Sequence, residues 1–271
     1  MKFMDSRENS NTKIKLLGIP FDSTSSFRAG SRFAPDEIRK FSYNLESYSP
    51  ILKRNLYDVD FSDTGNLDLP FGNTNKSINI ITDFTKYILD DKSIPVAIGG
   101  EHLITFGIFK TIYERYPDVK IIQFDAHADL RDDYIGEKLS HATVMRRCSD
   151  LCGLNNIIQI GVRSGTEEEW EIMNDTVLIK SKNDFENYLR NILSPIYITI
   201  DLDILDPSIF PGTGTPEAGG FSYNELMDYI YLLENRNIVG LDIVEFSPPY
   251  DHSGISASTA SKIIREILLI L

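Results

Sequence analysis

The sequence predicts an α/β protein in which a parallel sheet carries helices on both faces. Two observations predict it. Short apolar runs alternate with longer segments of helical period along the 271 residues, the pattern of repeated strand–helix–strand units. Three of those runs are closely followed by carboxylates and imidazoles, and the carboxyl ends of strands are where a parallel sheet binds its ligands.

The strands are read in order at residues 13–19, 55–59, 94–98, 119–124, 156–160, 176–179, 196–200 and 238–243, each a short apolar run. Amphipathic helical patterns lie near 35–45, 75–89, 105–116, 142–150, 183–193, 223–234 and 257–270. The Gly/Pro-rich stretch 206–220 follows a pair of aspartates and reads as a loop of the site rather than a linker. With no repeat and no low-complexity block, residues 1–271 are expected to form one domain, with polar residues 1–12 as a flexible N-terminus.

Composition narrows the function classes. Hydrophobic residues make up 42% and charged residues 25%, ordinary for a globular protein. A formal net charge of −13 argues against nucleic-acid binding and serves solubility first, cation attraction second. No apolar stretch approaches membrane-spanning length, and residues 1–12 lack the apolar core of a signal peptide, so a cytoplasmic location is expected. Cys148 and Cys152 lie four apart in a helical pattern; with no other cysteine to complete a thiolate site, they read as reduced helix residues.

The candidate ligands are His102 in Gly99-Gly100-Glu101-His102, Asp125, His127 and Asp129 in Asp-Ala-His-Ala-Asp, and Asp201 and Asp203 in Asp-Leu-Asp. In an extended strand end, alternate residues share a side, so the trio and the pair can each converge with the lone histidine. Alone, Asp-x-His or Asp-x-Asp is usually a loop or capping feature; three such groups at strand ends are a different matter. Burying four carboxylates together is costly without cations, and a bridging carboxylate suits two ions roughly 3.5 Å apart. Oxygen and imidazole donors without thiolates suit Mn²⁺ better than a structural zinc.

Gly-Gly-Glu-His, Phe-Asp-Ala-His-Ala-Asp-Leu-Arg, Ser-His-Ala-Thr-Val-Met-Arg-Arg and Ile-Asp-Leu-Asp-Ile-Leu-Asp-Pro resemble the ureohydrolase family of arginases and agmatinases. So do Pro211-Gly-Thr-Gly-Thr-Pro-Glu-Ala-Gly-Gly220, Asp242-Ile-Val-Glu-Phe-Ser-Pro248 and the start Gly18-Ile-Pro-Phe-Asp22 with Arg28-Ala-Gly-Ser-Arg32, and the resemblance spans roughly 13–265. It implies a three-layer α/β/α sandwich around a mainly parallel eight-stranded sheet, a binuclear Mn²⁺ centre and a homo-oligomer, trimer or hexamer. Carried over by motif, the metal ligands are His102, Asp125, His127, Asp129, Asp201 and Asp203, His141 is the proton-shuttling histidine and Glu245 the carboxylate that holds a guanidinium. Glu101 and Leu103, beside His102, depart from the family's usual Asp and Ser.

The chemistry so implied is hydrolysis of a guanidino group to urea and an amine. Two cations would acidify a water to supply hydroxide, Asp129 would orient it, His141 would carry a proton to the leaving amine if it titrates near neutrality, and Glu245 would accept paired N–H bonds from the cationic head. Read without the resemblance, His141 could simply open a helix and Glu245 could pair with a structural arginine. Arg28, Arg32, Arg146 and Arg147 read as structural. The acidic pair Asp132 and Asp133, if it faces the pocket, would repel a carboxylate. Ser164 and Thr166 stand where arginases carry acids that read the α-amino group. Both weigh against arginine and towards agmatine, released as putrescine. Other guanidino substrates (arginine, guanidinobutyrate) and formiminoglutamate are the alternatives. Less favoured are a metal-dependent amine deacetylase, a non-catalytic metal-binding homologue, and a phosphoester hydrolase, which lacks a phosphate-binding glycine loop.

Overall fold

A computed structural model describes residues 1–8 and 11–271. In chain order the strands are β1 (Ile14–Ile19), the short antiparallel pair β2 (Tyr48–Ser49) and β3 (Arg54–Asn55), then β4 (Phe61–Asn66), β5 (Ile94–Gly99), β6 (Lys120–Phe124), β7 (Ile157–Ile160), β8 (Val177–Ile179), β9 (Ile196–Asp201) and β10 (Ile238–Val244). Eight of them form one sheet in the order β4-β1-β5-β10-β9-β6-β7-β8, with every neighbouring pair parallel. The helices are α1 (Ala34–Ser42), α2 (Thr74–Asp90), α3 (Ile104–Arg115), α4 (Val144–Cys152), α5 (Glu167–Ile172), α6 (Lys182–Arg190), α7 (Tyr223–Ile230) and α8 (Ile255–Ile270).

The strands are apolar on both faces because both faces are covered. Ile196, Ile198 and Ile200 of β9 pack into one core with α1, α6, α7 and α8, while Tyr197 points into a second core with α2, α3 and α4. β1 divides in the same way, Ile14 and Leu16 to the first core and Leu17 and Ile19 to the second. This period of two, with helices on each side, is the three-layer sandwich. β5, β10, β9 and β6 are the four central strands, so their carboxyl ends lie side by side.

The structure departs from the sequence reading in three places. The expected strand at 55–59 is instead the end of β3 and a 3-10 turn, Leu56–Asp58, and the sheet's edge strand is β4. β4 reads Phe-Ser-Asp-Thr-Gly-Asn and buries only its first three residues, so no apolar run marks it. Its Asp63 is held by Arg39, whose Nε donates at 2.7 Å and Nη2 at 2.9 Å. The short helix α5 was not anticipated, because Glu-Glu-Glu-Trp-Glu-Ile has no helical apolar period; its start is set by a capping box between Thr166 and Glu169. Within residues 1–12, read from sequence as a flexible start, Phe3 and Met4 are buried. The Phe3 ring packs edge-on against Phe61, and its N–H donates to Asp63 at 2.7 Å. Residues 9 and 10, within that expected stretch, lie outside the described residues.

Cys148 and Cys152 are buried and free on α4. Among the described residues, no helix is long and apolar enough to cross a membrane.

Candidate metal centre

β5 ends at Gly99, and Gly100–Leu103 turn the chain into α3. The turn needs glycine, since a Cβ at Gly100 would lie 1.8 Å from the Phe21 carbonyl oxygen. This close packing brings His102 into the interior, 1% exposed, with each of its polar atoms directed. Its N–H donates to Glu245 Oε1 at 2.8 Å, tying the end of β5 to the end of β10. Its Nε2 meets Thr199 Oγ1 at 2.9 Å, and that hydroxyl donates to the buried Asp242 at 2.6 Å. The remaining ring atom, Nδ1, faces carboxylate oxygens of Asp129 at 3.0 Å, Asp125 at 3.1 Å and Asp201 at 3.4 Å. None of them is placed to accept a hydrogen bond from it, so among the described residues this buried nitrogen has no partner.

All six expected ligands come together. His102, Asp125 and Asp129 bring one donor atom each within 4.8 Å of one another, and so do Asp125, His127 and Asp203. Asp125 belongs to both sets, and Asp201 completes the first through its approach to His102. His127 Nδ1 lies 2.9 Å from Asp203 Oδ2 and 3.7 Å from Asp125 Oδ1. Surrounding amides hold the carboxylates in place. Gln123 Nε2 and the His127 N–H donate to Asp125 at 2.7 and 2.6 Å, Ala126 N–H to Asp203 at 3.1 Å, and Asp203 N–H to Asp201 at 2.9 Å. Asp129 and Glu245 sit at φ 54° and 65°, in the left-handed region that non-glycine residues avoid, and such strain persists where the surroundings impose it.

The cluster crowds like charges together in a buried setting. Burial, then the charge of Asp125, raises Asp129, and burial with Asp203 and Asp125 raises Asp201. Burial alone would lower His127, but Asp203 and Asp125 outweigh it and push the imidazole up to about 12. Burial, then Glu101, raises Glu245 to about 8. Two cations would remove the repulsion, and a buried imidazole lone pair facing three carboxylates is the donor set they need.

The cluster opens into a cavity of ≈ 270 Å³ whose walls include Ser26, Tyr134, His141, Ser164, Thr166 and Glu245. His141 starts the turn before α4. Its N–H donates to Thr24 Oγ1 at 3.1 Å, its Nε2 lies 3.2 Å from Ser26 Oγ, and its ring stands edge-on to Tyr134. Burial, then the nearby histidines and Arg131, lowers it to about 4, below the near-neutral titration expected from sequence.

Asp132 and Asp133 do not line the cavity, so the condition under which they would repel a carboxylate there is not met. Asp132 accepts from Arg147 at 2.7 Å, and Asp133 accepts the Gly136 N–H at 3.1 Å. Ser164 and Thr166 do line it, as do residues that sequence reasoning passed over: Ser26, Arg131, Tyr134, Glu169 and Thr215. The Thr166-x-x-Glu169 capping pattern was the one signal that could have found Glu169. Arg32 pairs with Asp22, and Arg147 with Asp132 and Asp150, outside the cavity.

Comparison with known proteins agrees with this geometry. The sequence profile of the arginase family matches residues 12–270. The chain is 46% identical over 261 residues to an agmatinase of Bacillus subtilis, covering 94% of this chain and 90% of that protein. It is 45% identical over 265 residues to an agmatinase of Bacillus cereus, covering 95% and 91%. The crystal structure of the agmatine ureohydrolase of Thermoplasma volcanium superimposes with a TM-score of 0.89 at 35% identity, covering 99% of this chain and 93% of that one.

Proposed function

The chain belongs to the arginase family, and we propose that it hydrolyses agmatine to putrescine and urea at this cluster. It is a hydrolase of amidine carbon–nitrogen bonds. The observation that carries the reading is the shared-carboxylate pair of ligand sets around the unpartnered His102 Nδ1, at the floor of a cavity walled by Glu245 and His141.

His102, Asp125, His127, Asp129, Asp201 and Asp203 would hold two Mn²⁺ ions. When bound, such a pair supplies positive charge and a water acidified towards neutrality. Asp129, buried at the cavity floor, accepts a hydrogen bond from the attacking water and aims it at the guanidino carbon. Glu245 spends Oε1 on His102, which leaves Oε2 for the guanidinium N–H groups. His141 is neutral at physiological pH; it takes a proton and gives it to the leaving amine. A lowered pKa suits that role, because the imidazolium once formed is a ready acid.

Agmatine fits the walls better than a guanidino acid does. Arg131 is the cavity's cation, and its Nε lies 3.4 Å from the buried carboxylate of Glu169, which neutralises it as a receptor for a substrate carboxylate. Ser164 and Thr166 are neutral. The protein's net charge of −13 favours approach of a dication. The test is urea release by Mn²⁺-loaded protein on agmatine, arginine and guanidinobutyrate, and formamide release on formiminoglutamate. The highest kcat/KM is expected on agmatine, and a higher value on any other substrate would overturn the assignment. Acetate release from an acetylated amine would instead indicate a deacetylase.

We further propose that residues 1–271 act as one catalytic domain in a cytoplasmic homo-oligomer, a trimer or hexamer. Free Cys148 and Cys152 suit a reducing compartment. Light scattering on the purified protein gives the subunit number.

A further inference from the structure

We propose that Glu101 is a positioning residue for His141, acting through a strap formed by Thr24, Ser25 and Ser26. Glu101 has no exposed surface, yet among the described residues no cation pairs with its carboxylate. A buried, unpaired carboxylate is destabilising unless hydrogen bonds replace its water. Among the described residues, every hydrogen bond its carboxylate receives comes from the strap. Thr24 N–H donates to Oε2 at 2.9 Å and to Oε1 at 3.2 Å, Ser25 Oγ donates to Oε2 at 3.0 Å, and the Thr24 hydroxyl donates to Oε1. Its own N–H is anchored on the Phe21 carbonyl at 2.7 Å, so bracket and strap are joined at both ends.

The strap then reaches His141 twice. Thr24 Oγ1, while donating to Glu101, accepts the His141 N–H at 3.1 Å, and Ser26 Oγ lies 3.2 Å from His141 Nε2. Of the two ring nitrogens, Nδ1 is buried with no partner among the described residues, and the Ser26 hydroxyl is the polar contact that orients the ring. Glu101 and His141 are forty residues apart, and Thr24 is 77 residues from the first and 117 from the second. Three distant segments thus meet at one hydroxyl. A carboxylate orders them because it accepts from several donors at once, and a neutral amide cannot do so from both of its ends.

The proposal rests on His141 as the proton carrier, and the experiment separates the two. Full-length Mn²⁺-loaded protein is compared with Glu101→Gln, Thr24→Val, Ser26→Ala, His141→Ala and the double variant Glu101→Gln/His141→Ala, for kcat and KM on agmatine, metal content and Tm. Glu101→Gln should lower kcat by about tenfold or more, a fraction of what a general acid–base contributes, with KM within about twofold and both metal ions retained. The double variant should be no slower than His141→Ala, because an effect transmitted through His141 disappears with it. Thr24→Val and Ser26→Ala should shift kcat the same way, and they carry the same cycle if Glu101→Gln does not fold. A parent-like kcat in Glu101→Gln, or its full factor persisting on top of His141→Ala, would overturn the proposal; so would loss of metal, which places the effect at His102. If His141→Ala itself turns over at the parent rate, both readings fall. A slow His141→Ala beside a parent-like Glu101→Gln overturns this one alone.

Discussion

Replacing Glu245 by glutamine should separate substrate binding from folding. In the native chain, Oε1 accepts the His102 N–H at 2.8 Å, and a glutamine carbonyl can take over that bond. The second oxygen becomes an NH₂ group, which turns a donor towards the donors of the guanidinium. One hydrogen bond to a charged group is worth about 1.5–3 kcal/mol, and each 1.36 kcal/mol is tenfold, so kcat/KM should fall by about 10- to 160-fold. Stability should move the other way or not at all. Burial and Glu101 raise Glu245 to about 8, so an ionised carboxylate at this position opposes folding of the free protein, and a neutral amide relieves that cost. The assay is initial-rate urea release at saturating Mn²⁺, with metal content and Tm measured alongside. A kcat/KM within about threefold of the parent, with full metal, would refute the assignment of Glu245 as the guanidinium clamp.

Other outcomes follow from the same geometry. Asp129→Asn should cut kcat by at least about 10²-fold, as it removes both a proposed ligand and the acceptor that orients water; near-parent turnover would contradict both roles. Chelation should lower Tm, and returning Mn²⁺ should restore it by an amount that grows with free ion concentration; a Tm indifferent to metal would argue against the ligand set. The chelated protein should also lose stability between about pH 6.5 and 8. Glu101 at about 7, Glu245 at about 8 and His127 at about 12 keep protons in the folded state that the unfolded chain has released, so stability falls as pH rises. His141, lowered to about 4, opposes this only while the unfolded imidazole titrates near 6.5. A Tm that rises through that window would count against these assignments. Phe3→Ala should destabilise by about 3 kcal/mol in urea unfolding, since the ring is 1% exposed and packed on Phe61; an unchanged midpoint would show that the chain's start contributes nothing.

Legibility along the chain followed burial. β5, β6, β9 and β10 are covered on both faces, so each is written as a dense apolar run, and the ends of β5, β6 and β9 lead into the six candidate ligands. β4 was missed because an edge strand can be polar when one arginine, Arg39, satisfies its buried Asp63. α5 was missed because its reason to exist is a cap and a contact, with Glu169 accepting the Leu130 N–H at 3.1 Å across the cavity wall. Asp132 and Asp133 show the converse limit: whether two acids beside a ligand motif face inward is not written in their spacing, and the turn after Leu130 carries them out to Arg147 and Gly136.

The sequence by itself determined the class of fold and the six ligand candidates, because strand burial and donor chemistry are local properties of residue type and spacing. Only the tertiary structure decided that Asp125 lies in both clusters of candidate ligands, that Arg131 sits beside the buried Glu169, and that Glu101 and His141 both hydrogen-bond to Thr24. Those facts depend on which segments lie beside one another. Strand order and loop packing set that, through long-range contacts that no local pattern records.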